Sequence, residues 1–225
     1  MTASHNPPEW NGFKFKPDYA GSASSDIVAL IESKIAAAQT RAPSTIPLSE
    51  ALESGLIRMF DPREHYVDHI AKIVDLDSLK QAGFNICVDA MHGAGAGYLP
   101  LILAGPHESI AEIRSDVNPG FPDMQQPEPI AQNLSVLSNH VVESNSDIGI
   151  AFDGDADRLG IIDEHGRYIS TLQVFALLAL YMLELRGERG PIVKSFTSSN
   201  MILKLGKLFK VPVFETGVGF KFASP

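Results

Sequence analysis

The sequence predicts an α/β fold in which strands alternate with helical segments as βαβ units and carry their loops at the carboxyl ends of the strands. Three observations predict it. Residues 84–89 and 147–152 are short, almost continuously apolar runs, as strands buried in a sheet are. Segments with helical spacing, 98–103 and 134–142, follow or precede these runs. Each run also ends in a loop of small and polar residues, 91–97 after the first and 153–158 after the second. At 225 residues and 44% hydrophobic composition the chain can bury one or two cores, and domains of about 100–150 residues make it two.

Taken in order, the chain begins with a shaped loop, because Pro7, Pro8 and Gly12 rule out a helix there. Ile27, Leu30, Ile31 and Ile35 recur at helical spacing over 25–39, with Ser24 or Ser25 as the cap. Residues 41–62 are rich in Pro, Ser and Glu without a period and read as a linker. Asp61 and Pro62 are an N-cap and a first helical residue, opening a helix to about Val74. Residues 110–113 are a short strand and 118–129 a Pro-rich segment. Residues 159–163 and 167–169 flank a turn at Glu164, His165 and Gly166, as a hairpin does. Thr171 caps a long apolar helix to about Glu184. Residues 192–194 form a strand, 200–209 a helix, and a last strand begins at 211–214.

The stretch Asp153, Gly154, Asp155, Ala156, Asp157, Arg158 carries the chemistry. On an extended backbone alternate side chains point the same way, so the three carboxylates would project towards one point. Like charges brought so close are driven towards protonation unless a cation neutralises them. A divalent metal is the simple remedy, and all-oxygen ligation suits Mg²⁺, Ca²⁺ or Mn²⁺ over zinc. The planar fork of Arg158 suits phosphate oxygens. An acidic surface turn is the plain alternative, and the apolar, strand-like flanks weigh against it. An EF-hand fails because Arg158 stands where the loop needs Gly and the flanks alternate like strands. A haloacid-dehalogenase-type phosphatase, with Asp153 as its nucleophile, also starts with an apolar strand running into Asp-x-Asp, but its pattern asks for Thr or Val where Asp157 stands.

The N-terminal stretch Thr2-Ala3-Ser4-His5-Asn6-Pro7 with Asn11-Gly12-Phe13-Lys14, followed by the aspartate stretch, resembles the α-D-phosphohexomutases, the phosphoglucomutase and phosphomannomutase family. The resemblance covers nearly the whole chain. It implies mixed βαβ sheets of the phosphohexomutase type, with one complete domain flanked by two partial ones. These are residues 1–42, the C-terminal part of a first domain with a phosphoserine loop; 43–61, a linker; 62–168, a second domain with a metal-binding loop; and 169–225, the start of a third with a sugar-binding loop. It implies interconversion of hexose 6-phosphate and hexose 1-phosphate, of glucose or mannose, through a phosphoserine and a hexose 1,6-bisphosphate. Ser4 is then the phosphoserine, and Asp153, Asp155 and Asp157 bind Mg²⁺ with a phosphoryl oxygen on Ser4. Lys14 exchanges a proton with the attacking hydroxyl or steadies the phosphate, and His5 shares that role. Arg158, Lys194, Thr216, Gly217 and Lys221 contact substrate. Read as an internal fragment, the chain is expected to lack mutase turnover by itself and to expose apolar edges of its first and last parts. A non-catalytic metal or sugar-phosphate binding module is the reading from a different class.

The net charge of -9 and pI near 5.2 argue against nucleic-acid and anionic-membrane partners. The single cysteine, Cys87, has no intrachain partner, which together with the polar first residues points to the cytoplasm. The longest apolar stretch, 174–183, falls short of the roughly 20 residues a membrane helix needs. Gly93, Gly95 and Gly97 read as a tight turn and not a dinucleotide fingerprint, since Tyr98 holds the place of the third glycine. His65 and His69 share a helix face with no third ligand and read as a packed or solvated face.

Overall fold

Strand β1 (Asn85–Asp89) is buried at four of its five positions, and this follows from its place inside a five-stranded sheet. The computed structural model describes residues 2, 4–105, 109–219 and 222. Helix α5 (Tyr98–Leu103) leads from β1 towards β2 (Ser109–Ile113), which pairs parallel to β1 with Asp89 opposite Ile113. Helix α6 (Ser135–Glu143) precedes β3 (Ile148–Phe152), parallel to β1 on its other side. The chain then turns back, and β4 (Leu159–Asp163) and β5 (Tyr168–Ile169) add antiparallel, so that the sheet is mixed, in the order β2-β1-β3-β4-β5.

One apolar cluster joins helix to sheet: Cys87 and Met91, Leu137 and Val141 of α6, Leu134 just before it, Ala151 and Ile162. α6 lies close because Gly149 has no side chain. A Cβ there would stand 2.7 Å from Val141 Cγ2 and 3.1 Å from Leu137 Cγ, inside ordinary contact distance.

A second, two-stranded sheet pairs β6 (Ile192–Ser195) in parallel with β7 (Val213–Thr216), linked by α8 (Met201–Phe209). Helix α7 (Thr171–Leu180) packs there through Ala176 and Ala179 against Ile202, with Ile192, Leu205 and Val213 at the margin. All of this, with residues 1–14, belongs to one compact unit, 75–225 being its larger part.

Residues 15–74 form the other unit. It holds α1 (Ser25–Gln39), capped by Ser24, α2 (Leu48–Glu53) and α3 (Arg63–Ile70). No residue of α1 is buried, and Leu30 is 63% exposed. Phe60 stacks on His65 with ring centroids 6.1 Å apart, giving that histidine a packing role.

Several boundaries differ from the sequence reading, each for a local reason. The stretch read as linker contains α2, a short helix whose Ala51 is buried. The helix predicted to run to Val74 stops at Ile70, because Asp75 caps a new helix, α4 (Leu76–Ala82), by accepting from Ser78 N at 3.0 Å. Thr171 does not cap α7. Ser170 does, in a capping box with Gln173. The last strand starts two residues late, since Pro212 has no N–H for the ladder and its carbonyl instead accepts from Ile192 N.

Candidate active site

The aspartate loop is the turn between β3 and β4, and it does not form in the way the sequence reading supposes. Its carboxylates converge through a tight turn and not through strand alternation. Asp153 N donates to Arg158 O and Ala156 N to Asp153 O at 3.0 Å, with Ala156 in the left-handed region at φ 59. Inside this turn Asp153 Oδ1 accepts from the backbone N–H groups of Asp157 at 2.9 Å and Arg158 at 3.0 Å. The turn is braced from two sides. Gly154 N donates to Pro127 O, and Gly154 O accepts from Ala94 N at 3.0 Å, which gives the glycine-rich stretch after β1 its structural use.

The serine loop closes on itself through Thr2 N to Gly12 O at 3.0 Å and Trp10 N to Pro7 O at 3.0 Å. It then lies directly on the aspartate turn. A Cβ on Gly154 would stand 2.3 Å from Ser4 O, so only glycine admits the serine loop at this depth. Ser4 Oγ donates to Asp153 Oδ2 at 2.8 Å, and His5 Nδ1 lies 3.2 Å from the same Oγ. A hydroxyl has one proton, so while Ser4 gives it to Asp153 it accepts from His5. Ser4 itself is held at φ 57.

Thr2 is a site residue that the sequence reading passed over. Its Oγ1 accepts from Ser4 N at 2.8 Å and lies 3.2 Å from Asp155 Oδ2, to which it donates. Lys14 Nζ donates to the same Oδ2 at 2.8 Å and stands 3.7 Å from Asp157 Oδ2.

These contacts set the charges. Burial pushes the Asp153 carboxyl up, with the charges of Asp157 and Asp155 adding to it against the backbone and Ser4 hydrogen bonds. Burial acts the same way on Asp155, but Lys14, Thr2 and Ser4 outweigh it and hold its carboxyl below the usual range. Lys14 is raised in turn, first by its hydrogen bond to Asp155 and then by the charges around it, against partial burial.

One oxygen from each of Asp153, Asp155 and Asp157 lies within 4.8 Å of the others. Asp155 Oδ1 is buried and has no hydrogen-bond partner among the described residues. An anionic oxygen left unpaired at such depth is costly, and a divalent cation among three carboxylates is the group that would satisfy it. The residues present therefore fit a hard cation. An open cleft of about 400 Å³ runs over this surface, with Ser4, His5, Asn6, Lys14, Asp157 and Arg158 among its walls.

Of the remaining predicted site residues, Lys194, Thr216 and Gly217 lie at the second sheet. Lys194 is 3% exposed, and its Nζ donates to Glu215 Oε2 at 2.6 Å across the β6–β7 pair. Thr216 Oγ1 donates to Gly217 O at 3.2 Å. Lys221 lies outside the described residues.

A mixed α/β sheet whose hairpin turn gathers three carboxylates beneath a serine loop has a donor set suited to a hard cation. Comparison with known proteins gives the family. Residues 64–166 match the description phosphoglucomutase/phosphomannomutase, alpha/beta/alpha domain II, and residues 1–42 match alpha/beta/alpha domain I of the same family. A phosphoglucomutase/phosphomannomutase of Thermococcus kodakarensis is 31% identical over 219 residues, 97% of this chain and 46% of its own length. A relative from Pyrococcus horikoshii, assigned as a phosphoglucosamine mutase, is 31% identical over 92% of this chain and 44% of its own length. A crystal structure from Thermus thermophilus, assigned as a phosphomannomutase, superposes with a TM-score of 0.84 at 33% identity, covering 98% of this chain and 48% of that one. The chain belongs to the phosphoglucomutase/phosphomannomutase family. It spans less than half the length of the relatives it matches.

Proposed function

We propose that this chain carries the phosphoryl-transfer centre of a phosphohexomutase, which interconverts hexose 6-phosphate and hexose 1-phosphate through a phosphoserine at Ser4 and a hexose 1,6-bisphosphate. The observation that carries the reading is the placement of Ser4 Oγ 2.8 Å from Asp153 Oδ2, at the edge of a carboxylate triad suited to a hard cation.

In this reading Asp153, Asp155 and Asp157 would hold Mg²⁺ together with a phosphoryl oxygen on Ser4. The ion would supply charge neutralisation for the transferring phosphoryl group. In transfer to substrate the bond from phosphorus to Ser4 Oγ breaks and a bond from phosphorus to a sugar oxygen forms. The sugar hydroxyl gives up its proton, and Ser4 Oγ regains one. His5, whose Nδ1 already faces Ser4 Oγ, is the group suited to that exchange. Lys14, kept charged by Asp155, is suited to steadying phosphate. Arg158 at the cleft, and Lys194, Thr216, Gly217 and Lys221 of the last αβ unit, are the proposed substrate contacts, by resemblance to the family. The matched spans 1–42 and 64–166 support a first-domain part over 1–42 and a second domain over 62–168 with a linker at 43–61 between them; the third-domain part over 169–225 is proposed by resemblance to the family alone. The cytoplasm is the proposed compartment. No helix among the described residues is long and apolar enough to cross a membrane.

The phosphatase alternative needs Asp153 as a free nucleophile. Both its oxygens are engaged, Oδ2 by Ser4 and Oδ1 by two backbone N–H groups, which disfavours it. Incubation with glucose 1,6-bisphosphate and Mg²⁺, followed by mass-spectrometric site mapping, tests the proposal. Phosphate is expected on Ser4. A hydroxylamine-labile phosphate on Asp153 would overturn it, and binding without any covalent phosphate would leave a binding module.

A further inference from the structure

Glu128 stands beside Arg158 and belongs to none of the groups assigned above. Its Oε1 accepts from Arg158 Nη1 at 3.3 Å and its Oε2 from Gln126 Nε2 at 2.7 Å. The backbone beneath it is pinned by Asn133, whose Nδ2 donates to the carbonyls of Gln126 at 3.2 Å and Glu128 at 2.8 Å. The carbonyl of Asn133 accepts in turn from Arg114, which is ion-paired with the fully buried Asp89 at the end of β1. Between Gln126 and Glu128, Pro127 is buried and its carbonyl accepts from Gly154 N. Glu128 is therefore fixed to the same frame that holds the aspartate turn.

Among the described residues Arg158 has one other carboxylate near it. Its Nε lies 4.0 Å from Asp157 Oδ1. Asp157 is a member of the triad, and a carboxylate spent on a cation is a poor anchor for a guanidinium. That leaves Glu128 as the group that restrains Arg158. A long side chain surrenders rotamer freedom when its fork docks on phosphate, and restraint beforehand lowers that cost.

We propose that Glu128 is a positioning residue for substrate binding: through its contact with Arg158 it holds the guanidinium at the cleft, oriented for the phosphate of a hexose phosphate. The inference rests on the reading of Arg158 as a phosphate contact.

The test uses the 225-residue chain and Glu128→Gln, which keeps the side-chain size and a partner for Gln126 but removes the charge. Three quantities are read: the Nε–Hε resonance of Arg158, identified by its loss in Arg158→Lys; the Kd for glucose 1,6-bisphosphate with Mg²⁺ by calorimetry; and the Kd for Mg²⁺ alone. The Arg158 signal should sharpen and move towards that of a free arginine in Glu128→Gln. The Kd for bisphosphate should rise about three- to fivefold, near the upper end of what a half-exposed ion pair supplies. The Kd for Mg²⁺ should stay unchanged, whereas a merely structural role would move it as well. An unmoved Arg158 signal, or a bisphosphate Kd equal to that of the unmodified chain, overturns the inference alone. Absence of bisphosphate binding by the unmodified chain counts against the mutase reading and this inference together.

Discussion

Ser4 Oγ and Asp153 Oδ2 meet at 2.8 Å although 149 positions separate them in the chain. The contact joins the serine loop to the turn between β3 and β4. It brings a hydroxyl onto the triad, beside the cleft that Ser4 and Asp157 line, and the predictions about the site turn on it.

Removing one triad carboxylate should weaken metal binding without unfolding the sheet. Asp155→Asn takes the charge from the carboxylate that carries the unpaired Oδ1. Losses in metal affinity of about 10- to 100-fold are usual even for residues that only support the ligands, so a loss of at least about tenfold is expected. Calorimetric titration with Mg²⁺ or Mn²⁺ checks it, with an unchanged melting temperature as the control for folding.

Thr2 accepts from Ser4 N within the serine loop and ties that loop to the aspartate turn by donating to Asp155. Thr2→Val removes both at nearly constant shape, while Thr2→Ser keeps them. A hydrogen bond is worth about 0.5–1.5 kcal/mol. Phosphorylation of Ser4 by glucose 1,6-bisphosphate should therefore slow by about two- to thirteenfold per bond in Thr2→Val and stay near the original rate in Thr2→Ser. Equal rates in both variants would count against the clamp.

Cys87 is completely buried, and burial, with the Asp89 charge adding to it, pushes its thiol up from 9.0 to about 11. The unfolded chain ionises this thiol from about pH 9 while the folded chain does not. Stability linked to Cys87 is thus fully present below about pH 9 and is lost as pH climbs towards about 11, by at most about 2–3 kcal/mol. Chemical unfolding between about pH 8 and 11 should show a steeper decline for the original chain than for Cys87→Ala. Alkylation by iodoacetamide at about pH 8 should require unfolding.

Asp89 and Arg114 form a buried ion pair, with Arg114 Nε donating to Asp89 Oδ1 at 2.8 Å. Deleting one partner strands the other charge. Asp89→Ala should cost about 3–5 kcal/mol in denaturant unfolding, far more than loss of an exposed pair such as Asp163 with Arg167.

How far the fold and site are legible depends on whether a signal is local. The apolar runs at 84–89 and 147–152 read as buried strands, and strands of the sheet form over 85–89 and 148–152. The three aspartates announce their own chemistry through mutual repulsion, but not the turn that gathers them, because that turn depends on Pro127 and Ala94 from distant segments. Thr2 and Glu128 look like ordinary polar residues in sequence. Their meaning lies entirely in which groups they face once folded. Asp75 escapes notice as a cap because the helix it starts is only seven residues long and carries little periodicity.

The hairpin that bears the aspartates also limits how its length can vary. Phe152 pairs with Leu159, so six residues span the turn. An inserted residue has two places to go. Kept within the turn, it spreads the three carboxylates apart. Passed into β4, it slips the ladder by one step and turns the buried Gly160 and Ile162 outward, emptying the core beneath α6. Sheet register and the gathering of the three carboxylates are therefore a single constraint, and this turn should tolerate conservative changes of residue type far better than any change in number.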